Sequence, residues 1–379
     1  MKKVLIFSTT YLPLIGGAEI AVKEITNRLG ADLAFDLICA RIKRELPAQE
    51  KIGRINVYRL GCGCGRLDKF LLPWRGARLA QKLHRKKNYD LVWAIMASFG
   101  GLAALSFKNK NPQVPHLLTL QEGDSPEHIH SRARWLGPYY KKMFTSADYI
   151  SAISQYLFDF GRGQGAICPV EIVPNGVDLY LFLKGSDGVE LIKEKLNKND
   201  GDKLIIHTGR LAKKNALGDI IRALKYLPDN YKFLSLGNGP DLIELKQLAA
   251  KEGVAGRVML LNQVSHEEMI KYLKAADVFV RPSLSEGLGN SFLEAMAVGL
   301  PVIGTPVGGI PDFLTAGETG LFCKIKNSKS IADQIKLLFS DEALRQKLVV
   351  NAKKLAEEKY GWDKIAHQMA DIFARLIRS

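Results

Sequence analysis

Residues 281–296 read RPSLSEGLGNSFLEAM and carry the most specific pattern in the chain. They follow a short apolar run and place Glu286 in a glycine-flanked turn, after which a helix is predicted to begin at Asn290 or Ser291. The first N–H groups of that helix can bind a phosphate, and Glu294, in its predicted first turn, can accept hydrogen bonds from hydroxyls. Alternatively, Glu294 can serve as the glutamate of a capping box.

Short apolar runs alternate with amphipathic stretches on both sides of this segment, which is typical of βα units that build parallel sheets. Strands are predicted at 4–8, 35–40, 91–96, 116–120, 149–153, 170–173, 204–208, 233–236, 258–261, 278–280 and 301–304. Helices are predicted at 18–29, 219–227, 242–251, 292–297 and from 330 to the end, with a bend at 361–362. Since residues 184–202 are rich in Gly, Lys, Asn and Asp, they form a predicted linker. We therefore expect two α/β domains, at 1–180 and 181–361, in this chain of 379 residues.

Glycines and cations follow several predicted strands of the second domain, at the sheet edge where open α/β sheets bind ligands. Arg210 and Lys214 come after Gly209 and suit a diphosphate, because arginine binds it bidentately and lysine adds a point charge. Gly237 and Gly239 follow the next strand and can let a nucleotide lie against the backbone. Surface charge and simple turns are the structural alternatives for these segments.

Gly16 and Gly17 follow the first strand and open a predicted helix, which is where an α/β sheet presents N–H groups to an anion. The alternative is a tight turn between strand and helix. The dinucleotide fingerprint G-x-G-x-x-G is absent here, so we do not expect a dinucleotide cofactor.

The formal net charge of +15 indicates an anionic partner, such as a phospholipid surface or a phosphorylated substrate. Eight cations cluster in one stretch among leucine and aromatic side chains: Arg66, Lys69, Arg75, Arg78, Lys82, Arg85, Lys86 and Lys87. This stretch can lie on an anionic bilayer, or it can be the solvated face of a helix packed on the first domain. No recognised nucleic-acid-binding motif accompanies the charge, so we expect no nucleic-acid partner.

Hydrophobic runs and cysteines indicate the compartment. No run approaches the roughly 18 apolar residues that a membrane-spanning helix needs. The five cysteines are scattered, which suits a reducing cytosol, and Cys62-Gly63-Cys64 is one residue short of a CxxC pair.

Together these motifs resemble the retaining glycosyltransferases of family 4, whose two-glutamate signature matches Glu286 and Glu294. Further segments similar to that family occur in the expected order, at 16–19, 173–178, 209–211, 237–240 and 301–304. The resemblance implies the α/β GT-B fold, in which two Rossmann-like, doubly wound parallel-sheet lobes face a central cleft. It also implies that residues 362–379 cross back onto the N-terminal, acceptor-binding lobe.

The resemblance also implies roles for individual residues. Glu286 would hold hydroxyls of the donor sugar, Glu294 would hold those of the ribose, and Arg210 and Lys214 would neutralise the leaving diphosphate without a metal or cofactor. Backbone of the intervening turn would bind the diphosphate, through Gly287, Leu288, Gly289, Asn290 and Ser291.

Two positions depart from the family pattern. Many members carry the phosphate lysine at the position of Asn215, whereas here the lysine is Lys214. Many also carry a histidine after the strand 116–120, where this chain has Gln121-Glu122-Gly123-Asp124. Gln121, Glu122 and Asp124 are therefore candidates to contact the reacting sugar from the first domain. Either carboxylate, Glu122 or Asp124, could accept the acceptor's proton, whereas the resemblance implies that the departing phosphate takes it and that Gln121 only orients the sugar.

The expected function is transfer of a hexosyl group from a UDP- or GDP-sugar to an acceptor hydroxyl of a lipid-linked glycan or surface polysaccharide precursor. We expect this to occur in the cytoplasm, at the inner face of the membrane. Alternatives are a sugar-nucleotide epimerase of the same architecture and a non-enzymatic binder of membrane surfaces. A metal-dependent transferase would need an Asp-x-Asp clamp, for which Asp200-Gly201-Asp202 supplies the letters within the predicted linker.

Overall fold

The computed structural model describes residues 1–124, 137–183 and 188–378. They form two compact units, one of Met1–Asn175 with Trp362–Ser379 and one of Gly176–Gly361. The chain thus changes unit slightly before the predicted position, residue 180. The predicted linker at 184–202 is not wholly irregular, because Val189–Lys195 forms a helix, while residues 184–187 lie outside the described ranges.

The described part of the first unit contains an eight-stranded sheet in the order β3-β4-β2-β1-β5-β6-β7-β8. Its strands are β1 (Lys2–Phe7), β2 (Leu33–Ala40), β3 (Gln49–Ile52), β4 (Ile55–Leu60), β5 (Leu91–Ile95), β6 (His116–Leu120), β7 (Tyr149–Ala152) and β8 (Val170–Ile172). Neighbouring strands are parallel, except that β3 runs antiparallel to β4 at the edge. Every residue of β5 and β6 is buried, as expected where helices cover both faces of a parallel sheet.

Helices follow most of these strands and pack on the sheet. Within the described residues, those before the change of unit are α1 (Gly17–Arg28), α2 (Arg66–Lys87), α3 (Phe99–Lys110), α4 (Pro138–Thr145) and α5 (Gln155–Gly163). The helix α2 packs against α3 through small residues, since a Cβ on Gly76 would lie 3.3 Å from the Cβ of Ala103. This close packing leaves the opposite face of α2 exposed.

The second unit contains a six-stranded parallel sheet in the order β11-β10-β9-β12-β13-β14. Its strands are β9 (Lys203–Thr208), β10 (Tyr231–Leu236), β11 (Val258–Leu261), β12 (Val278–Arg281), β13 (Val302–Gly304) and β14 (Leu321–Phe322). Counted within the unit this is the order 3-2-1-4-5-6 of Rossmann sheets, which reverses direction between β9 and β12. Ligands bind such sheets beyond the carboxyl ends of the strands at that reversal.

The helices of the second unit cover its sheet. They are α6 (Leu179–Leu183), α7 (Val189–Lys195), α8 (Leu217–Ala223), α9 (Leu242–Lys251), α10 (His266–Ala275), α11 (Asn290–Ala297), α12 (Ser328–Ser340) and α13 (Glu342–Lys359). Strand and helix residues meet in one hydrophobic core, in which Phe233, Val280 and Ile335 are fully buried. No helix within the described ranges combines the length and apolar character that crossing a bilayer requires.

The last helix, α14 (Trp362–Arg378), belongs to the first unit, although it follows the second in the chain. Its apolar face enters the core of the first sheet, where the ring of Phe373 meets that of Trp93 edge-on at 5.3 Å. The predicted α/β architecture of two doubly wound, parallel-sheet lobes is therefore confirmed.

Candidate active site

Four loops at the carboxyl edge of the second sheet form the candidate site. They follow β9, β10, β12 and β13, and two of them flank the reversal of strand order between β9 and β12. The loop after β9 carries Arg210 and Lys214, and the loop after β12 carries Glu286. The sheet topology thus brings together side chains that are far apart in the sequence.

Arg281, the last residue of β12, joins these loops from below. Its guanidinium group lies 2.6 Å from Oε2 of Glu286, 2.7 Å from Oγ of Ser291 and 3.1 Å from Oδ1 of Asn215. Arg281 and Glu286 are only 9% and 8% exposed. A buried charge needs such partners, since removing it from water costs several kcal/mol. The sequence prediction gave Arg281 no role, although a cation that ends a buried strand signals a need for polar partners.

Asn215 explains the departure from the expected lysine position. Its amide is buried and donates to the carbonyl oxygen of Arg210 at 2.6 Å while accepting from Arg281. The neighbouring Lys214 accepts a hydrogen bond at its carbonyl oxygen from Leu284 N, at 2.6 Å. The loops after β9 and β12 are therefore fastened together, and Lys214 lies beside the turn that carries Glu286.

The glycines of the loops after β9 and β10 permit these two loops to pack backbone on backbone. Gly237 has a φ of 150°, and a Cβ there would lie 2.0 Å from the carbonyl oxygen of Gly209. A Cβ on Gly239 would lie 2.0 Å from the carbonyl oxygen of Leu211. Gly209 itself has a φ of 134°. Contact between loops accounts for Gly237 and Gly239, and the positive φ accounts for Gly209, while a contact with the donor stays a prediction.

The turn around Glu286 also contacts the loop after β13. The carbonyl oxygen of Glu286 accepts from Gly309 N at 3.3 Å, and Thr305 donates to the carbonyl oxygen of Ser283 at 2.5 Å. In the described residues the side-chain contacts of Glu286 all involve Oε2, through Arg281 and Ser283. Its second oxygen, Oε1, can therefore accept hydrogen bonds from a ligand.

The helix α11 begins at Asn290, as predicted, but the expected first-turn position of Glu294 and its alternative role in a capping box are both wrong. Glu294 lies beyond the first turn, which holds no acidic residue, and the capping position is Gly289 with a φ of 100° and no side-chain cap. The capping-box alternative for Glu294 fails for the same reason. Oε1 of Glu294 instead lies 3.0 Å from Nε2 of His266 at the start of α10, a partner that the sequence prediction missed.

Two side chains of the glycine-rich turn are directed into the protein. Leu288 is buried in the core, and the hydroxyl of Ser291 is held by Arg281. Gly287 and Gly289 are buried too. The predicted diphosphate contact of these residues would therefore use backbone groups, and it stays a prediction.

Arg210 is exposed at the tip of the loop after β9, beside Lys213. Asp241, at the start of α9, is near both cations. Partial burial raises the pKa of Asp241, and the charges of Lys213 and Arg210 oppose that rise. Beneath the loop, burial and the charge of Arg281 lower the pKa of His207, so this histidine is neutral. The loop after β9 thus presents exposed cations at this edge, as a diphosphate requires, and the carboxyl groups of Asp241 and Glu244 lie near them.

In the first unit, the glycine pair lies at the start of α1, where Gly16 is the capping residue and Gly17 the first helical residue. Glu19 turns its carboxylate toward this end, since a Cβ on Gly16 would lie 2.6 Å from its Oε2. Thr10 donates to Oε1 of Glu19 at 2.7 Å, and burial raises the pKa of that carboxyl group. A carboxylate thus already occupies part of the predicted phosphate position.

The three candidates that follow β6 differ in their surroundings. Glu122 is buried, and its carboxylate accepts from Ala97 N at 2.6 Å and from Gln121 N at 2.9 Å. Burial raises its pKa. Glu122 therefore holds two loops together, and its role on the acceptor side stays a prediction. Gln121 is half-buried and accepts from Asn175 at 3.2 Å, and Asp124 is half-buried as well.

The Asp-x-Asp letters at 200–202 form a structural turn. Asp202 is buried, pairs with Lys232 at 2.6 Å and accepts from Asn199 N at 2.8 Å, and the Lys232 contact lowers its pKa. Within the part of the chain that the structure describes, no cluster of three or more His, Cys, Asp or Glu side chains is placed to hold a metal ion.

Comparison with known proteins gives two family-model matches that together span most of the chain. Residues 15–181 match the model described as Glycosyltransferase Family 4, and residues 188–355 match Glycosyl transferases group 1. D-inositol 3-phosphate glycosyltransferase of Xylanimonas cellulosilytica is 30% identical and is aligned over 95% of this chain and 92% of its own. N-acetyl-alpha-D-glucosaminyl L-malate synthase of Bacillus anthracis is 28% identical over 97% and 96%.

Solved structures share the fold of the whole chain. Sucrose-phosphate synthase from Thermosynechococcus elongatus superposes with a TM-score of 0.87 at 22% identity, over 100% of both chains. HepE of Anabaena, solved in complex with UDP and glucose, gives 0.82 at 19% identity, over 99% of this chain and 100% of its own. Fold, loops and matches together define a glycosyltransferase of the GT-B type that uses a nucleotide sugar. The chain belongs to glycosyltransferase family 4, with a C-terminal half of the group 1 type.

Proposed function

We propose that this protein transfers a hexosyl group, with retention at the anomeric carbon, from a UDP- or GDP-sugar to a hydroxyl of a lipid-linked glycan or surface polysaccharide precursor. The observation that carries the proposal is the position of Glu286, held by Arg281 at the reversal of the second sheet with one oxygen left for a ligand. Of the two bases we favour uridine, since a relative of the same fold has been solved with UDP-glucose.

In the proposed reaction, Oε1 of Glu286 accepts hydrogen bonds from hydroxyls of the donor hexose, and Glu294 accepts those of the ribose. The bond between the anomeric carbon and the diphosphate oxygen breaks as the acceptor oxygen bonds to the same face of that carbon. The departing phosphate oxygen takes the acceptor's proton.

Negative charge grows on the diphosphate during this step, so cations beside it stabilise the transition state more than the ground state. We assign this role to Arg210 and Lys214, at the end of β9. A charge-assisted hydrogen bond from either contributes about 1.5–3 kcal/mol. Two such contacts, with the N–H groups at the start of α11, can replace a divalent metal, and we therefore propose that the reaction is metal-independent.

The exposed face of α2 is the reason for placing the acceptor at a membrane. Phe70 and Trp74 are 66% and 64% exposed and lie one helical turn apart, with Leu67 and Leu71 beside them. Basic residues continue along the helix, so apolar side chains could enter an anionic bilayer while cations bind its headgroups. We propose that this surface holds the enzyme at the cytoplasmic face of the membrane.

The experiment that tests the proposal measures thermal unfolding of the protein with UDP, GDP, ADP and their sugar conjugates, with and without EDTA. A ligand that binds only the folded state adds about 2.7 kcal/mol of stability at a hundredfold excess over its Kd. We expect one nucleotide to stabilise the protein in EDTA, and Glu294→Ala and Arg210→Ala to abolish that effect. Glu357→Ala, which removes an exposed carboxylate from α13, should leave the effect unchanged.

Product analysis separates the alternatives. An epimerase would convert the sugar nucleotide without any acceptor, and a non-enzymatic binder would show no nucleotide-dependent stabilisation. With an acceptor present, NMR of the product gives the anomeric configuration, and an inverted product would contradict the proposed retention. Loss of activity in EDTA would contradict metal independence.

A further inference from the structure

The loop Gly61-Cys62-Gly63-Cys64-Gly65 joins β4 to α2 and has no part in the proposed reaction. The sulfur atoms of Cys62 and Cys64 lie 3.0 Å apart, and both residues are exposed. Two thiols at this distance need to approach by only about 1 Å to reach the 2.03–2.05 Å of a disulfide bond.

The conformation of this loop is fixed from inside the first unit, not by the thiols themselves. Asp68, which is only 1% exposed, accepts from Cys62 N at 3.1 Å and from Cys64 N at 2.6 Å, one bond to each carboxylate oxygen. A Cβ on Gly61 would lie 2.2 Å from Oδ1 of Asp68, so the chain follows this carboxylate closely. Both cysteines are therefore held in register before any bond forms between them.

The glycine between the cysteines turns the chain so that both thiols face the same side. Gly63 has a φ of 83°, and a Cβ there would lie 2.5 Å from the backbone nitrogen of Arg44. Only glycine combines this φ with such close contact to another backbone segment. The backbone of Arg44 thus supports the turn from below while the two sulfur atoms face solvent.

The other cysteines of the chain lack these properties. Cys39 and Cys323 are buried, and burial raises the pKa of each thiol to about 12. Cys168 is half-buried, with a pKa that burial also raises. The hydrogen bond to Cys64 also raises the pKa of Cys62, so what distinguishes this pair is that both thiols are exposed and lie 3.0 Å apart.

We propose that Cys62 and Cys64 are a dithiol site that low-molecular-weight disulfides oxidise reversibly to an intramolecular disulfide. One cysteine thiolate attacks a sulfur of the small disulfide, which forms a mixed disulfide and releases one thiol. The second cysteine thiolate then attacks the protein-bound sulfur and releases the other thiol. In total the two cysteines lose two electrons and two protons, and the small disulfide gains both. A small dithiol reverses the reaction.

The surroundings of the site select the class of small disulfide. Arg66 follows directly in the chain, Arg44 lies against Gly63, and Lys69 is on the first turn of α2. Asp68 is the acidic residue of that first turn, and it is turned inward. An anionic disulfide such as glutathione disulfide is therefore attracted to this loop, and a cationic one such as cystamine is repelled.

The test treats the intact protein with glutathione disulfide, blocks remaining thiols with an alkylating agent and identifies the modified residues by peptide mass spectrometry. We expect Cys62 and Cys64 to escape alkylation together, in a peptide that has lost two hydrogens, and dithiothreitol to restore both thiols. In Cys64→Ser, Cys62 should instead carry one glutathione adduct. Separate glutathione adducts on the two cysteines of the wild type, a disulfide between two molecules, or a reaction confined to Cys168 would each overturn the proposal.

A second measurement needs no oxidant. Phenylarsine oxide binds two close thiols by exchanging its oxygen for two sulfur atoms with release of water, so one equivalent should block Cys62 and Cys64 together. Asp68→Asn removes one of the two acceptor oxygens that hold the loop, and we expect it to slow formation of the intramolecular disulfide. If circular dichroism shows Asp68→Asn to be folded and its rate equals that of the wild type, the loop does not preorganise the thiols and the proposal fails.

Discussion

Arg281 is a buried cation that forms hydrogen bonds to residues of three separate segments, the loop after β9, the turn after β12 and the start of α11. Its contact with Glu286 neutralises both charges in an environment where neither could stay unpaired. The same contact fixes the carboxylate that we assign to the donor sugar. Stability and donor binding therefore depend on one guanidinium group.

Replacing Arg281 with alanine should lower the free energy of unfolding by about 3–5 kcal/mol, because Glu286 is then left charged and buried without a partner. The double substitution Arg281→Met with Glu286→Leu removes both charges and should cost much less, although it should abolish donor binding. Urea unfolding and nucleotide-induced thermal shifts measure the two effects. Equal destabilisation in the single and double variants would contradict a charge-based explanation.

Lys213 and Lys214 are adjacent and carry the same charge, but only Lys214 contacts the turn that carries Glu286 through its backbone. Lys213 is therefore a matched control for Lys214. We expect Lys214→Ala to lower the transfer rate roughly 10- to 150-fold, which corresponds to about 1.5–3 kcal/mol of transition-state stabilisation. Lys213→Ala removes the same charge from the same turn and should leave the rate near that of the wild type. Steady-state kinetics with saturating donor test this, and equal losses would assign the effect to the general field of the loop.

At the residue level, sequence patterns find residues whose chemistry is tied to a local motif, such as Glu286 between serine and glycine. They do not find partners that come from distant segments. Arg281 and Asn215 are 66 positions apart, and only the pairing of β9 with β12 brings their loops together. The contact between Glu294 and His266 likewise joins two helices that are separate in the sequence.

At the scale of elements, contact between the loops after β9 and β10 sets a strict requirement at Gly237. Gly237→Ala should lower the free energy of unfolding by at least about 1–3 kcal/mol, because the added Cβ meets the carbonyl oxygen of Gly209 and the positive φ is strained. Gly256→Ala is the control, since a Cβ there has no neighbour within 4 Å. Chemical denaturation of both variants measures the difference, and similar stabilities would contradict this account.

The exposed face of α2 predicts a second effect at this scale. Phe70→Ala with Trp74→Ala should reduce binding to anionic vesicles at least tenfold, since burial of each large apolar side chain contributes about 1.5–3 kcal/mol. Ile243→Ala with Leu191→Ala removes equally exposed apolar side chains from the second unit and should not change binding. Sedimentation with anionic and neutral vesicles at several salt concentrations tests this. Binding that is insensitive to salt would contradict the role of the cations.

For strands with a strong apolar pattern, the predicted first and last residues lie within one or two residues of the observed ones. The bounds of α9, β6 and β11 were predicted without error. The strand β3 was missed because it is short and exposed on alternate residues, at the edge of the sheet. An edge strand buries too little to leave a clear hydrophobic pattern. The strand β4 was missed although every second residue is buried. Both faces of the central strands are covered, so their apolar runs are unambiguous.

At the scale of the whole molecule, the return of α14 to the first unit is needed for stability. A chain truncated after Gly361 loses six buried side chains from the first core, Trp362, Ile365, Met369, Ile372, Phe373 and Leu376. At about 1.5–3 kcal/mol each, their loss removes roughly 9–18 kcal/mol, which is as large as the whole 5–15 kcal/mol by which a typical domain is stable. Hydrogen exchange should show β1 and β5 unprotected in the truncated chain.

Asp363→Ala is the control for this prediction. This substitution removes the ion pair between α14 and Arg28. The side chain of Asp363 is 96% exposed, and exposed ion pairs contribute about 0–1 kcal/mol to stability. Protection of β1 and β5 should therefore stay at the wild-type level. Native protection in the truncated chain would contradict the proposed dependence on α14.

The first unit is built from two separate segments of the chain, so its folding is completed after that of the second unit during synthesis on the ribosome. Residues 1–175 emerge first, yet they wait for a helix that is made only after residues 176–361. At about 5–20 residues per second, residues 176–361 take on the order of 10 to 40 s to synthesise. Throughout that time the nascent chain presents the open side of its first sheet to chaperones, while the second half, made without interruption, can complete its fold before the first.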